Sequence, residues 1–499
     1  MIFCVDQPDR QPLIRGYLFL LLFLLLPLRI SAWQDLADFT GHWEGAMDLQ
    51  GTDMSFMIDL ILNEGIWSGR MDIPMQNAFG LPLSTVRVVE DTVAFTIQAA
   101  GDPVWTGILS GERIEGNLVQ SGITFPFWLG REEMPPPPRP QEPMPPFPYR
   151  EEEVVYQNGE VTLAGTLTLP PDGGPFPAAL LITGSGAQDR NGELFDHKPF
   201  LLIADVLTSA GVAVLRVDDR GVGGSSLGPR PATSADFVED VLSGVDLLIS
   251  HNEIDPMRIG LIGHSEGGMI APMAAAASDN VAFIVLLAGP GVTGEEILLE
   301  QTLLITKTTG ATEEQLLAQF TAQQKALGLA RIGADSLTVR EAVAGLVDVQ
   351  FARLSDMERQ AVTPEIREQQ ITQATNQVLH PWFRYFLGFD PRTALREVTV
   401  PVLAINGGLD LQVSPAQNLP EIAIALGEAG NTDITVREFP GLNHLFQTAR
   451  SGSPAEYALT EETISPAVLE TIRDWILDRF GTGLLQHDQE PEIPVRKEG

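Results

Sequence analysis

The sequence predicts a doubly wound, mostly parallel α/β sheet with a helical cap inserted into it, preceded by a small all-β domain. Three observations carry this expectation. Before residue 133, apolar and more polar residues alternate between closely spaced glycines. From residue 154, short apolar runs recur with helical stretches between most of them. Two of those runs are separated by residues 293–396, far more than a crossover connection needs.

The chain opens on a segment with the features of an export signal. Arg10 and Arg15 precede a leucine-rich run from Tyr17 to Leu28, too short to span a bilayer, and Ser31-Ala32 offers small residues for cleavage before Trp33. Residues 1–32 are therefore expected to direct export, with membrane contact only through this segment if it stays uncleaved. The only cysteine, Cys4, precedes the apolar run, so cleavage leaves no disulfide and no thiolate metal site. An exported chain without disulfides fits a bacterial periplasm or the surrounding medium.

Residues 33–132 read as the small β-domain. Met54, Phe56, Ile58, Leu60 and Leu62 alternate with more polar positions, and Val93, Phe95 and Ile97 do so after an Asp91-Thr92 turn. Trp43, Trp67, Trp105 and Trp128 read as packing aromatics in preference to a ligand-binding face. Residues 133–153 are dense in proline, which neither pairs in a sheet nor continues a helix; a stiff, extended spacer is expected.

The sheet is expected within residues 154–482. Val154–Leu169 reads as an opening hairpin with an Asn158-Gly159 turn. Ala178–Ile182, Val212–Leu215, Ile259–Ile262, Phe283–Leu287 and Val402–Ile405 are short runs of the kind buried on both faces. The insertion 293–396 is rich in Gln, Glu, Leu and Ala at helical spacing and reads as a cap. Near its end, Trp382, Phe383 and Phe386 either wall a substrate pocket or dock the cap on the sheet. Ser465-Pro466 starts the last helix, and 483–499 is a polar tail. Over the whole chain, 66 acidic residues against 31 basic ones give a formal charge of −35. A surface this acidic repels phosphate backbones and argues against nucleic acid as a partner.

The pattern G-x-S-x-G occurs twice. A serine hydroxyl needs a base, a group to orient the base, donors for an oxyanion, and an exposed position at a strand–turn–helix elbow. Ser265 has a buried strand before it, Gly263 and Gly267 around it, and an alanine-rich helix after it, with Pro272 early enough for a first turn. Ser226, in Gly224–Gly228, is followed at once by Pro229 and Pro231 and belongs to the loop after a strand. His444 follows a late strand, Ile434–Glu438, in a turn-rich loop, whereas His380 lies in the cap and His487 in the tail. His264 is expected to point away from the elbow. Asp410 follows the strand Val402–Ile405 and would orient His444; Asp218 and Asp219 precede the serine and are assigned structural work. The turn Thr183-Gly184-Ser185-Gly186 exposes backbone N–H groups, so Ser185, with Gly186 as the neighbouring option, would share an oxyanion with Glu266. No H-E-x-x-H and no paired cysteines occur, and no metal or organic cofactor is expected.

GSGAQDRNG (184–192), HKPF (197–200), VDDRGVGGSS (217–226), GHSEGG (263–268), PWFRYFLGFDP (381–391) and NGGLDLQV (406–413) together resemble the α/β-hydrolase superfamily over roughly 154–482. Within it they are similar to secreted bacterial esterases with an N-terminal β-domain and a helical cap, some described as serine aminopeptidase-like. Asp196 stands where that group more often has glycine, so the local loop is expected to differ. The resemblance implies hydrolysis of a small-molecule carboxylic ester through Ser265, Asp410 and His444. Two rivals stand beside it: a serine peptidase or amidase on the same fold, and an envelope- or polymer-binding protein carrying a vestigial hydrolase. Acyl chain length and oligomeric state are left open.

Overall fold

The computed structural model describes residues 38–481, apart from 49–52, 64, 74–77, 98–102, 121–122, 132–137, 309–310 and 354–361. The expected export segment 1–32 and the tail 483–499 lie outside the described residues.

The N-terminal β-domain is a closed antiparallel barrel. Its strands are β1 (Gly41–Asp48), β2 (Asp53–Asn63), β3 (Ile66–Ile73), β4 (Ala78–Val89), β5 (Thr92–Ile97), β6 (Val104–Ser110), β7 (Arg113–Gln120) and β8 (Ile123–Gly130). Each pairs with the next, and β1 closes on β8 with Glu44 opposite Gly130. Closure leaves no open edge to pair with other chains. The alternation along β2 sends Met54, Phe56, Ile58 and Leu60 inward, while Leu62 is exposed near the strand end. Trp43 and Trp105 are core residues, Trp67 packs against the core, and Trp128 lies under the Arg113 guanidinium at 4.3 Å. Phe95 stacks on Trp105 at 5.4 Å. Three of the tryptophans thus pack the barrel interior, whereas Trp128, between the core residues Phe127 and Leu129, lies on the outer face.

Over its described part the proline-rich stretch, expected as a stiff, extended spacer, is seated on the sheet unit. Prolines offer no N–H, so other side chains bind this segment to the sheet unit. Arg139 donates to the carbonyls of Phe195, Ala458 and Thr460, and Gln141 donates to that of Ile464 while accepting from Thr463 N–H. Strand β9 then begins at Arg150, inside the expected linker.

The second sheet has eight strands, β9 (Arg150–Asn158), β10 (Val161–Leu169), β11 (Phe176–Ile182), β12 (Ala213–Val217), β13 (Ile254–His264), β14 (Phe283–Leu287), β15 (Val402–Gly407) and β16 (Ile434–Phe439). Their order is β16-β15-β14-β13-β11-β12-β10-β9. The strands from β11 to β16 run parallel, and β10 is antiparallel to both β9 and β12. In the opening hairpin Asn158 pairs with Val161, so the turn residues are Gly159, at φ +58°, and Glu160.

Successive side chains leave a strand on opposite faces, so a strand covered on both sides feeds two cores. Ala178, Leu180, Ile182, Ile284, Leu286, Val402 and Ala404 join α2 (Ser234–Ser250), α3 (Gly267–Ala277) and α10 (Pro415–Glu428) on one face. Ala179, Leu181, Phe283, Val285, Leu287, Leu403 and Ile405 join α1 (Pro199–Ser209) and α11 (Pro466–Phe480) on the other. This is the doubly wound arrangement. From β11 the chain adds β12 on one side and β13 on the other, so the loops after β11 and β13 meet at a topological switch point.

The insertion is helical. It holds α4 (Gly294–Thr308), α5 (Glu313–Arg331), α6 (Ser336–Ala352), α7 (Pro364–Leu379), α8 (Pro381–Gly388) and α9 (Pro391–Leu395). Leu327, Val339, Val343, Ile371, Phe383 and Leu387 belong to an apolar core of its own.

Candidate active site

The elbow is built from close backbone approaches. Ser265 joins β13 to α3 at φ +54°, a left-handed conformation that side chains avoid. The tight turn requires bare backbone on both sides. A Cβ on Gly263 would meet the Gly267 carbonyl oxygen at 2.0 Å, and one on Gly267 would meet that of Ile182 at 2.3 Å. Helix α3 starts at Gly267, so Pro272 is its sixth residue and lies in the second turn, not in the first as expected. Gly267 and Gly268 are helical here, although glycine's low propensity argues otherwise. The start of α3 also aims the positive end of its dipole at Ser265.

Asp410 follows β15. Its Oδ1 accepts from the N–H groups of Gln412 and Val413 at 2.8 and 2.9 Å, and its Oδ2 lies 2.7 Å from His444 Nδ1. His444 is held in a turn after β16 by Asn443, whose Oδ1 accepts from the N–H groups of Leu445 and Gln447. His444 and Asp410 are both buried. Ser265, His264 and His444 line one cavity.

His264 does not point away. Its ring centre is 4.9 Å from that of His444, and its Nε2 lies 3.1 Å from the His444 carbonyl oxygen. His264 is the last residue of β13, and strand alternation puts it on the same face as Ile262, the face that Leu442 and Phe446 of the His444 loop cover. Burial, with a smaller effect from His444, pushes its pKa down to about 3, so the ring stays neutral and donates through Nε2.

The turn after β11 lies against the elbow. A Cβ on Gly184 would be 3.3 Å from Ser265 Cβ. Ser185 lines the cavity, Gly186 sits at φ +96°, and Glu266 precedes the first helical residue of α3. An N–H at a helix start has no carbonyl four residues back, which leaves that of Glu266 available. Asp219 braces this turn from behind, accepting from Thr183 Oγ1 and from Gln188 N–H. Burial raises the Asp219 pKa to about 7. Asp218 holds Arg190 through both carboxylate oxygens, so both aspartates do the structural work expected of them. Asp196, in place of a glycine, takes φ +61°, a conformation aspartate tolerates better than most residues.

The second G-x-S-x-G match is a staple. Ser225 Oγ accepts from Ala164 N–H and donates to the Asp218 carbonyl, and Ser226 Oγ accepts from Thr162 N–H.

The cavity holds about 350 Å³ between sheet and cap. Ile297, Leu298, Trp382, Phe383 and Phe386 line its cap side, and Gln301 and Gln377 add neutral amides. No Asp, Glu, Lys or Arg is among the described residues lining it. Trp382 does both jobs foreseen for the aromatics: it walls the cavity, and its Nε1 donates to Glu266 Oε1 at 2.8 Å. Sequence reasoning missed that bond and His197, a buried cavity residue whose Nδ1 is 2.9 Å from Thr463 Oγ1.

Away from the cavity, Glu152, His251 and Glu253 bring potential metal-ligand atoms together. His251 Nδ1 accepts from Glu253 N–H, which puts the ring proton on Nε2, the atom facing Glu152. Arg150 already neutralises Glu253.

Comparison with known proteins agrees with this architecture. The family model described as "Alpha/beta hydrolase family" matches residues 179–458. Esterase EstD of Thermotoga maritima is 27% identical over 333 residues, covering 66% of this chain and 68% of that protein. The putative hydrolase YtaP of Bacillus subtilis is 34% identical over 127 residues, covering 22% of this chain and 42% of that one. Among solved structures, an esterase of Pyrococcus furiosus matches at 17% identity and a TM-score of 0.41, over 70% of this chain and 98% of that one. Since the family model spans more than half its length, the chain belongs to the alpha/beta hydrolase family.

Proposed function

We propose that this protein hydrolyses uncharged carboxylic esters by two-step acyl transfer, with Ser265 as nucleophile, His444 as general base and acid, and Asp410 as the group that orients His444. The observation that carries the reading is the buried Asp410–His444 pair, whose histidine lines the same cavity as a serine held at a strained elbow. With Nδ1–H donated to Asp410, His444 Nε2 keeps its lone pair and takes the Ser265 proton as the hydroxyl oxygen attacks the ester carbonyl. The negative charge falls on the carbonyl oxygen, where the N–H groups of Glu266 and of Ser185 or Gly186 receive it. Collapse expels the alcohol, which takes the proton back from His444. Water then repeats the sequence on the acyl-enzyme and releases the acid.

Lining chemistry favours an ester over a peptide end. An exopeptidase needs a charged anchor for its substrate's terminus, and the described lining offers only apolar, amide, hydroxyl and imidazole groups. Similarity to an esterase over two-thirds of the chain supports the same choice. A panel of chromogenic esters and aminoacyl anilides, run on wild type and Ser265→Ala, tests it. Ester turnover lost in Ser265→Ala is expected; faster anilide cleavage, or activity surviving in Ser265→Ala, rejects the reading.

We extend the proposal to location: residues 1–32 act as an export signal. Protein recovered from the periplasm or medium should begin at Trp33, and accumulation of the full-length chain inside the cell would refute export.

A further inference from the structure

We propose that the Glu266 carboxylate is a positioning residue that ties the helical cap to the oxyanion pocket, so that cap placement and oxyanion stabilisation are set together. The proposal rests on the acyl-transfer reading above.

Glu266 is 2% exposed. Its Oε1 accepts from Ser234 Oγ at 2.6 Å and from Trp382 Nε1 at 2.8 Å. These two donors are neutral and come from separate elements. Ser234 is the first residue of α2, and Trp382 belongs to cap helix α8. A carboxylate buried among neutral donors loses its hydration without a counter-charge in return, and burial pushes its pKa up. Plain core packing would be served by an apolar side chain of the same volume. What the carboxylate adds is several acceptor sites at one point.

The main chain of the same residue supplies one oxyanion N–H, and Ser185 sits where the other is supplied. The side chain that holds the cap therefore belongs to the residue whose own backbone carries one oxyanion donor. Trp382 connects this point to the substrate. Its ring stacks on Phe386 at 5.9 Å with an interplanar angle of 11°, and both rings wall the cavity. A substrate packed on that wall presses on the group that sets the donors.

Three variants separate positioning from plain structure. Glu266→Met removes the acceptor at similar volume, Glu266→Gln keeps an acceptor oxygen, and Trp382→Phe removes the cap's N–H but keeps a ring in the wall. Glu266→Met is expected to lose roughly ten- to a hundredfold in kcat with little change in KM, since displaced donors act on the transition state. Glu266→Gln recovers most of that loss. Trp382→Phe lowers kcat severalfold, and the Glu266→Met/Trp382→Phe double variant is no slower than Glu266→Met, because one bond is lost once. Affinity for a phosphonate mimic of the oxyanion follows kcat across the series, whatever Tm does. Wild-type kcat and phosphonate affinity in Glu266→Met, or additive losses in the double variant, overturn the proposal. If Glu266→Met does not fold, Trp382→Phe decides alone, and an unchanged kcat there is the overturning result. A Ser265→Ala control separates the two readings: activity surviving in it refutes the acyl-transfer mechanism, whereas an inactive control beside a fully active Glu266→Met refutes only the tie.

Discussion

His444 Nδ1 lies 2.7 Å from Asp410 Oδ2, and the other carboxylate oxygen is fixed by two backbone N–H groups. The carboxylate therefore cannot rotate away from the ring, and only one tautomer of a neutral His444 suits it. In Asp410→Asn the amide oxygen must face the two N–H groups, which turns the NH₂ towards Nδ1. The ring then carries its proton on Nε2 and cannot accept from Ser265. A loss in kcat of about 10³- to 10⁴-fold is expected, with the fold retained. Steady-state ester kinetics beside a thermal melt check it; a loss under tenfold would show that Asp410 does not set the tautomer.

His264 makes a second demand on the same loop. With its pKa pushed from 6.5 down to about 3, it must lose in the folded protein a proton that it holds when unfolded. The unfolded chain binds more protons in that window, so stability is present above 6.5 and is lost as pH falls towards 3. His264→Gln keeps a donor for the His444 carbonyl and removes the titration. Its Tm should fall less steeply than that of wild type on acidification below 6.5. Parallel melting curves across that range would count against the assignment.

Asp219 works with the opposite sign. Its folded pKa of about 7 stands above the ordinary 3.8, chiefly through burial, with Glu266 and Asp240 adding repulsion. The folded protein holds this proton where the unfolded chain has lost it. The contribution is complete below 3.8 and is lost as pH rises through about 7. Asp219→Asn keeps an acceptor for Gln188 N–H and can donate to Thr183 Oγ1. It should melt higher than wild type at a pH above 7 and lose that advantage near 4, as read by calorimetry at both pH values.

The proposed nucleophile and its proposed partners are each announced locally in the sequence. Ser265 lies between a buried strand and a helix with glycines at the two close approaches, and Asp410 and His444 each follow a strand at the same edge of the sheet. The direction of His264 was not legible. It depends on where the His444 loop, 180 residues away, seats against that face of the sheet, which a motif does not spell out. The bond from Trp382 to Glu266 joins residues 116 apart, and the seating of Arg139 joins residues over 300 apart. Such contacts leave no periodic trace because each needs only one side chain. Closure of the barrel was hidden for a related reason: alternation fixes which face of a strand is buried, and says nothing of whether β1 finds β8.

Strain at Ser265 predicts a trade between stability and activity. A non-glycine residue at φ +54° stores energy that glycine would release. Ser265→Gly should therefore be more stable than Ser265→Ala by about 1 kcal/mol, since alanine keeps the Cβ that the turn disfavours. Both should be inactive towards esters. Chemical denaturation of the two variants provides the comparison, and equal midpoints would mean that the elbow is not strained.

The uncharged cavity wall predicts discrimination by substrate charge. A cationic acyl group entering this space gives up its hydration and meets only amides, hydroxyls, imidazoles and hydrocarbon. An ester with an ammonium on its acyl part should fall at least about tenfold below its neutral isostere in kcat/KM. Gln301 offers the means to test the cause, because it lines the cavity from the cap and already has the length of glutamate. Gln301→Glu should raise kcat/KM for the ammonium ester and lower it for the neutral one, narrowing the ratio from both sides. Kinetics of the matched ester pair on the two proteins supplies the measurement. A ratio unchanged by the substitution would place the acyl group away from Gln301, on the opposite side of the cavity, where Leu287 and Ile464 line the wall.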